Sequence, residues 1–334
     1  MIETETLTTA EIEALALAAL TRCGASEAQA RPLARATAET EADGVASHGL
    51  AYIPVYCEHL RCSKVDGTAE PTVTRPKPGL LVADAATGFA HAAIAAGFAE
   101  LIPLARDHGV AALAVRRSYN CGVLGVHTRA LAEAGLLGIG FTNAPASIAP
   151  SGGARPVVGT NPVSLAAPDG QGGAALLIDQ SASVIAKSEI MKHAREGRPI
   201  PEGWALDAEG SPTTDPEAAL AGSMAPSGGY KGVGLALIVE VMAAAMAGAT
   251  LGIDASPFSG PKGGPPETGQ FFLAVDPEAS SGGAYAARIT RLAEAIRDQP
   301  GARLPGDGRA VARARAADKG VAVSAATFAR VRAL

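Results

Sequence analysis

From about residue 70 the chain alternates short apolar runs with helical patterns, and this alternation restricts the possible folds more than any other feature. Leu80-Leu81-Val82-Ala83 predicts a strand, His91 to His108 a helix, and Val110 to Val115 a buried strand. Leu124 to Ala134 predicts a helix and Leu136 to Phe141 another strand. Leu176-Leu177-Ile178-Asp179 is a strand ending in an acid, Gly232 to Ala247 a strong helix, and Gln270 to Val275 a strand. Such alternation marks an α/β body. Pro257 to Gly269, rich in Pro and Gly, predicts a surface loop, and Tyr285 to Arg297 a final amphipathic helix.

The first 70 residues read differently. Thr8 and Glu11 have capping-box spacing, after which Ile12, Leu15 and Ala19 share one helical face. Ser26 and Gln29 repeat that spacing before a second helix to about Ala42, and Leu50 to Arg61 predicts a third. There is no internal repeat and no flexible linker. The expected organisation is one compact body: residues 1–75 with 285–334 form a helical unit, and 76–284 an α/β unit.

Composition narrows the function classes. The chain is 48% hydrophobic and 18% charged, a globular balance, and its 4% aromatic content demands a core of small aliphatic side chains. A formal charge of -5, with no long cationic run, gives no reason to expect nucleic acid. The longest apolar stretch, Val233 to Ala249, is interrupted by Glu240, so no membrane span is expected. Met1 to Glu5 lacks the basic-then-apolar form of a signal peptide. Cys23, Cys57, Cys62 and Cys121 show no CxxC pair and no zinc spacing, so reduced thiols, no metal and a cytoplasmic location are expected.

Four segments could carry chemistry. In Gly44-Val45-Ala46-Ser47-His48-Gly49-Leu50 a histidine stands at a helix start, where imidazole could exchange a proton with a carbonyl or hydroxyl oxygen. A capping serine beside an ordinary polar histidine fits the same residues. A hydrolase fits poorly, because helical side chains at i and i+1 diverge and no G-x-S-x-G elbow is present. The glycine-rich run Gly152 to Pro162 lets backbone approach a ligand, with Thr160 and Asn161 offering hydrogen bonds to phosphate or ribose; a plain hairpin is the alternative. Asp179, Gln180 and Ser181 follow a strand, and Lys187-Ser188-Glu189 opens a helix; both acids also suit helix-start solvation. Ser227-Gly228-Gly229-Tyr230-Lys231-Gly232 leads into the strong helix and forms either an anion site or an ordinary glycine loop. No G-x-G-x-x-G follows any predicted strand, so a conventional Rossmann fingerprint is missing.

Taken in order, Ser47-His48-Gly49, Gly159-Thr160-Asn161-Pro162, Ile200 to Asp207, Pro212 to Pro216, Gly229-Tyr230-Lys231-Gly232 and Leu304-Pro305-Gly306 resemble the malate/L-lactate dehydrogenase family of the non-Rossmann type. That family also includes ureidoglycolate dehydrogenase, diketogulonate reductase, sulfolactate dehydrogenase and Δ1-piperideine-2-carboxylate reductase. The resemblance covers nearly the whole chain. It implies an α/β cofactor domain without a Rossmann motif, a helical domain from both chain ends, and a homodimer or larger assembly with its active site near the subunit contact. NAD or NADP is the implied cofactor. The implied reaction moves a hydride to or from C2 of a small 2-oxo or 2-hydroxy acid of malate, lactate or sulfolactate type. Reduction of cyclic or N-alkyl imino acids is the alternative, and a cofactor-binding homologue without catalysis the third reading.

By position, His48 matches the family's proton donor/acceptor and Ser47 its hydroxyl neighbour. Glu189 falls where imine-reducing members place an acid that supports the histidine. Tyr56 matches a substrate-side tyrosine. Asn120, Cys121, Gly122, Val123 and Leu124, with Thr160, Asp179, Gln180, Ser181 and Lys231, resemble the cofactor cradle. The loop carrying Arg303, Pro305 and Gly306 completes it. The sequence departs from the pattern at two positions. An arginine that pairs with the substrate carboxylate is usual where this chain has Tyr52, leaving Arg116, Arg117 or Lys187 as replacement candidates. Many members have a histidine where it has Asn120.

Overall fold

The computed structural model describes residues 3–334. Its centre is a seven-stranded sheet. In spatial order the strands are Thr72–Lys77, Leu80–Asp84, Val110–Ser118, Thr268–Val275, Leu137–Thr142, Val163–Pro168 and Ala174–Gln180. Only Leu80–Asp84 and Val110–Ser118 run parallel. The other pairs are antiparallel, so the α/β alternation yields a mixed sheet rather than a doubly wound one. The strand Thr72–Lys77, placed mostly in the helical unit by the sequence, belongs to this sheet.

The crossover helix Ala90–His108 packs Ala93, Ile94, Leu101 and Ala105 against Leu81, Leu113 and Phe272. Gly97 is required there, because a Cβ would fall 2.5 Å from a Leu113 methyl. With few aromatic residues available, close approach through Ala and Gly gives the density that a core needs.

The capping box of Thr8 forms as expected: Glu11 N–H donates to Thr8 Oγ1, and Thr8 N–H donates to the Glu11 carboxylate. The second box is only half made. Ser26 Oγ accepts from Gln29 N–H, but the Gln29 side chain turns away. It donates to Ala69 O at 2.6 Å and accepts from Phe89 N–H at 2.9 Å. Fully buried, Gln29 joins the N-terminal helices to the sheet unit instead of capping its own helix.

Both chain ends contribute to one core. Ile12, Ala16, Leu20, Leu33 and Ile53 pack with Val323 and Val331. The short strand Thr4–Leu7 pairs antiparallel with Val321–Ser324. A charged cluster ties this unit to its neighbours. The Asp43 carboxylate, which has no solvent exposure, accepts two bonds at 2.8 Å from Arg129 Nη1 and one at 2.7 Å from Arg313. Arg129 also meets Glu39 at 2.8 Å. Helices Glu27–Ala42, Leu124–Glu133 and Asp307–Lys319 are thus fastened at one point.

Glu240, which breaks the apolar run read from the sequence, proves to be a buried hub. Its carboxylate accepts from Asn161 Nδ2 at 2.7 Å and from Gly252 N–H at 2.6 Å. Among the described residues no helix is long and apolar enough to cross a membrane, and none of the His, Cys, Asp and Glu groupings could hold a metal ion. All four cysteines are free thiols.

Candidate active site

His48 does not start an α-helix. It closes a 3-10 turn, Ala46–His48, that is followed by a second turn, Leu50–Tyr52, and then by the helix Ile53–Arg61. Despite the divergence expected of adjacent side chains, Ser47 Oγ lies 3.0 Å from His48 Nδ1. Glu41 fixes the turn from below. Its carboxylate accepts from Leu50 N–H at 2.7 Å, and it sits so close to Gly49 that any Cβ there would collide with it. Burial pushes the Glu41 carboxyl up, and the Leu50 bond opposes this.

His48 is half-buried. Loss of water lowers its pKa first; the negative charge of Asp179 raises it and the positive charge of Arg309 lowers it further. Asp179 and Arg309 form an ion pair at 2.8 Å against the helix Leu124–Glu133. Gly125 makes room for it, since a Cβ would lie 2.7 Å from Asp179 Oδ2. Arg309 escaped the sequence reading. It lies in the first turn of the helix Asp307–Lys319, three residues after Gly306, and that nearness to the Arg303–Gly306 loop was the available signal.

Tyr52 faces the imidazole: the ring centroids are 6.0 Å apart and the planes differ by 8°. Tyr56 packs edge-on against Tyr52 at 4.8 Å, and Tyr56 is almost wholly buried. Its hydroxyl is committed to Asn120 Oδ1 at 3.0 Å rather than offered to a substrate. Asn120 Oδ1 also accepts from Gly122 N–H at 3.1 Å, which shapes the turn through Gly122 and Val123 into Leu124.

A second cleft, of about 470 Å³, brings Gln180, Ser181 and Lys231 together with Ser183 and Ser227. Lys231 lies in the first turn of the helix Tyr230–Glu240, behind the left-handed Gly228 and Gly229. Hydroxyls, an amide, an ammonium group and a helix N-terminus form a donor set suited to phosphate. Pro305 O accepts from Leu177 N–H at 3.0 Å, and Gly306 presses on Leu177, so the Arg303–Gly306 loop docks on the strand that ends at Gln180.

Other expected site residues lie apart or serve the fold. Thr160 supplies its carbonyl to Ala182 N–H at 2.7 Å. Asn161 is buried and holds Ala144 N–H, Ala236 O and Glu240, so it has no group to spare for phosphate. Arg116 and Arg117 pair through Nε with Asp84 at 3.2 Å and 3.5 Å, and both side chains stay largely exposed. Lys187 lines a separate cavity of about 110 Å³ with Ser147 and Met224. Glu189 is half-buried in the first turn of Lys187–Arg195, and among the described residues no hydrogen bond joins it to His48. The Pro257–Gly269 loop is more than surface: Lys64 Nζ donates to Pro257 O at 2.6 Å, and Phe258 packs on Tyr119.

A half-buried histidine with a hydroxyl partner stands on one element and a cleft lined by hydroxyls and a lysine on another, both carried by a mixed sheet with no Rossmann turn. The chain belongs to the malate/L-lactate dehydrogenase family, whose model matches residues 7–332. It is 45% identical over 299 residues to the (2R)-3-sulfolactate dehydrogenase (NADP(+)) of Chromohalobacter salexigens, covering 90% of this chain and 89% of that one. It is 37% identical to the Δ1-pyrroline-2-carboxylate reductase of Ancylobacter novellus, covering 100% and 98%. The crystal structure of Δ1-piperideine-2-carboxylate reductase from Pseudomonas syringae superposes with a TM-score of 0.93 at 33% identity, covering 99% of each chain.

Proposed function

We propose that this enzyme transfers a hydride to or from C2 of a small 2-oxo or 2-hydroxy acid, sulfolactate- or malate-like, with His48 as the proton donor and acceptor. The observation that carries the reading is the bond between Ser47 Oγ and His48 Nδ1. With Nδ1–H donating to Ser47 Oγ in both the neutral ring and the cation, Ser47 holds the tautomer that leaves Nε2 free to gain and lose a proton. The proton to be moved then stands on Nε2, the other ring nitrogen.

The residues present fit a nicotinamide dinucleotide. Ser181, Ser227 and Lys231 would hold phosphate in the second cleft, and Gly122, Val123 and Leu124 would offer backbone at the turn that Asn120 shapes. When bound, that group supplies or accepts the hydride. The name of the sulfolactate relative supports NADP over NAD. Two independently shaped regions, one for the dinucleotide and one for the acid, let His48 act on an already oriented substrate.

The test is a spectrophotometric panel of pyruvate, oxaloacetate, sulfopyruvate and Δ1-pyrroline-2-carboxylate, each with NADH and NADPH. Turnover of a 2-oxo acid, faster with NADPH, is expected; no turnover of any member would sink the proposal. Imino-acid reduction is the second reading, favoured by Glu189 in its half-buried helix turn and by the likeness to the piperideine-2-carboxylate reductase structure. It expects Δ1-pyrroline-2-carboxylate to outrun sulfopyruvate and Glu189→Gln to slow that reaction.

The pKa of His48 gives a pH signature. Its folded value lies below the ordinary 6.5 because burial disfavours the cation. Oxidation needs the neutral ring as base, so kcat/KM for the hydroxy acid should rise through a limb below pH 6.5 and level off above it. Reduction should show the opposite limb in the same range. A limb above pH 6.5 would assign the proton to another group.

A homodimer accompanies this reading. Tyr230, Leu237, Ile238, Val241 and Met246 leave a run of exposed apolar side chains along the Tyr230–Glu240 helix and its continuation. Lys231 in the cleft belongs to the same helix, which would set the active site beside the subunit contact. Ile238→Glu with Val241→Glu should convert a dimer to monomers in light scattering. A monomeric parent protein would refute the assignment.

A further inference from the structure

The two departures from the family's pattern, Tyr52 and Asn120, meet in space. The orientation of Asn120 is fixed by its neighbours. Gly122 N–H can only donate, and it faces Oδ1 at 3.1 Å; the Tyr56 hydroxyl donates to the same oxygen at 3.0 Å. Nδ2 must therefore point the other way, where it meets the Tyr52 hydroxyl oxygen at 3.5 Å. With its oxygen facing a donor, Tyr52 keeps its own proton for a different partner. Inside the chain that partner is Phe258 O at 3.4 Å. Both bonds are at the long end of the range, and the Tyr119 hydroxyl also bears on the Tyr52 oxygen as a donor, so the Tyr52 proton is the loosely held group. Tyr52 and Asn120 are both only half-buried, and the Tyr52 ring lies parallel to His48. Burial pushes the phenol up to about 12, so it stays neutral at ordinary pH.

We propose that Tyr52 is a specificity-determining donor that binds the acid group of the substrate through one neutral O–H, and that Asn120 is the positioning residue that aims it. This rests on the reading of the His48 neighbourhood as the substrate site. The two departures are then one device, in which a tyrosine replaces an ion pair and an amide replaces an imidazole to orient it. A carboxylate or sulfonate oxygen would displace the slack bond to Phe258 O and gain a short, charge-assisted one. Without a guanidinium at this position the site contributes direction more than charge, and its grip on an anion should depend little on salt.

Binding of unreactive acids tests this without requiring turnover, so a wrong substrate class leaves the measurement intact. Oxamate, shaped like a 2-oxo acid, and pyrrole-2-carboxylate, shaped like a cyclic imino acid, are titrated by calorimetry into the full chain with saturating NADPH. Tyr52→Phe keeps the ring and removes only the hydroxyl. It should weaken at least one probe by about tenfold, the scale of a lost hydrogen bond to a charged group, with NADPH affinity unchanged. Asn120→Ala should weaken the same probe in the parent protein but by less than about twofold in the Tyr52→Phe background, because its effect passes through the hydroxyl. Three results overturn the proposal: unchanged probe affinity in Tyr52→Phe, an equal loss from Asn120→Ala in both backgrounds, or no binding of either probe to the parent protein.

Discussion

Replacing His48 by alanine should lower kcat by about 10²- to 10⁴-fold, the usual contribution of a positioned acid or base, while NADPH binding stays within about twofold. The separation follows from the geometry. His48 sits on the 3-10 turn Ala46–His48, whereas the phosphate-suited groups Ser181, Ser227 and Lys231 line a cleft on other elements. Stopped turnover with retained nucleotide fluorescence would support the role; full activity would remove it. Ser47→Ala should produce a smaller loss, because the imidazole survives and only its Nδ1 partner is gone. The smaller loss should appear in kcat more than in KM, since the hydroxyl stabilises the ring's charged form rather than the bound acid.

The largest expected effect on stability comes from Asp43→Ala. The variant strands Arg129, whose side chain is 4% exposed, and strips Arg313 of its partner in the same step. Removing one member of a buried pair costs about 3–5 kcal/mol, because the remaining charge must stay desolvated without compensation. Glu39 and Glu133 still neutralise part of Arg129, which places the expected loss near ~3 kcal/mol. Denaturant unfolding of the two proteins side by side measures it. A loss below ~1 kcal/mol would mean that the cluster behaves like a surface ion pair. Arg129→Met with Asp43→Leu should recover much of the difference, as an apolar pair no longer carries the desolvation cost.

Much of this architecture was legible because local pattern decides it. Val110–Ser118 and Thr268–Val275 are apolar enough to read as strands without neighbours, and Thr8 and Glu11 announce a helix by spacing alone. Features that depend on a distant partner were not legible. Thr4–Leu7 is a polar four-residue segment that becomes a strand only because Val321–Ser324 lies beside it. Val163–Pro168 ends in proline and is short, yet it occupies a place between two other strands. Gln29 looked like a cap residue, and its real partners, Ala69 and Phe89, are far along the chain. The site divides the same way. His48 and Ser47 stood out as neighbours in sequence, but their contact, made across adjacent positions of a 3-10 turn, did not. Arg309 went unseen because Asp179, the residue that gives it meaning, is 130 positions away. Glu240 was visible as an interruption, but nothing local revealed that Asn161 and Gly252 needed it.

The pairing of Thr4–Leu7 with Val321–Ser324 also orders events during synthesis. As the polypeptide leaves the ribosome, the sheet strands from Thr72 to Val275 all become available before Val321 is made. The α/β portion can therefore settle while the N-terminal helices still lack Val323 and Val331, the buried residues that the C-terminal segment adds to their core. Until then that core is short of two of its buried residues. A chain stalled before Val321 should keep sheet protection in hydrogen exchange and show weaker protection in helix Thr9–Arg22. Pairing of Val321–Ser324 with Thr4–Leu7 would then act as the closing step, a latch between segments that are far apart along the backbone.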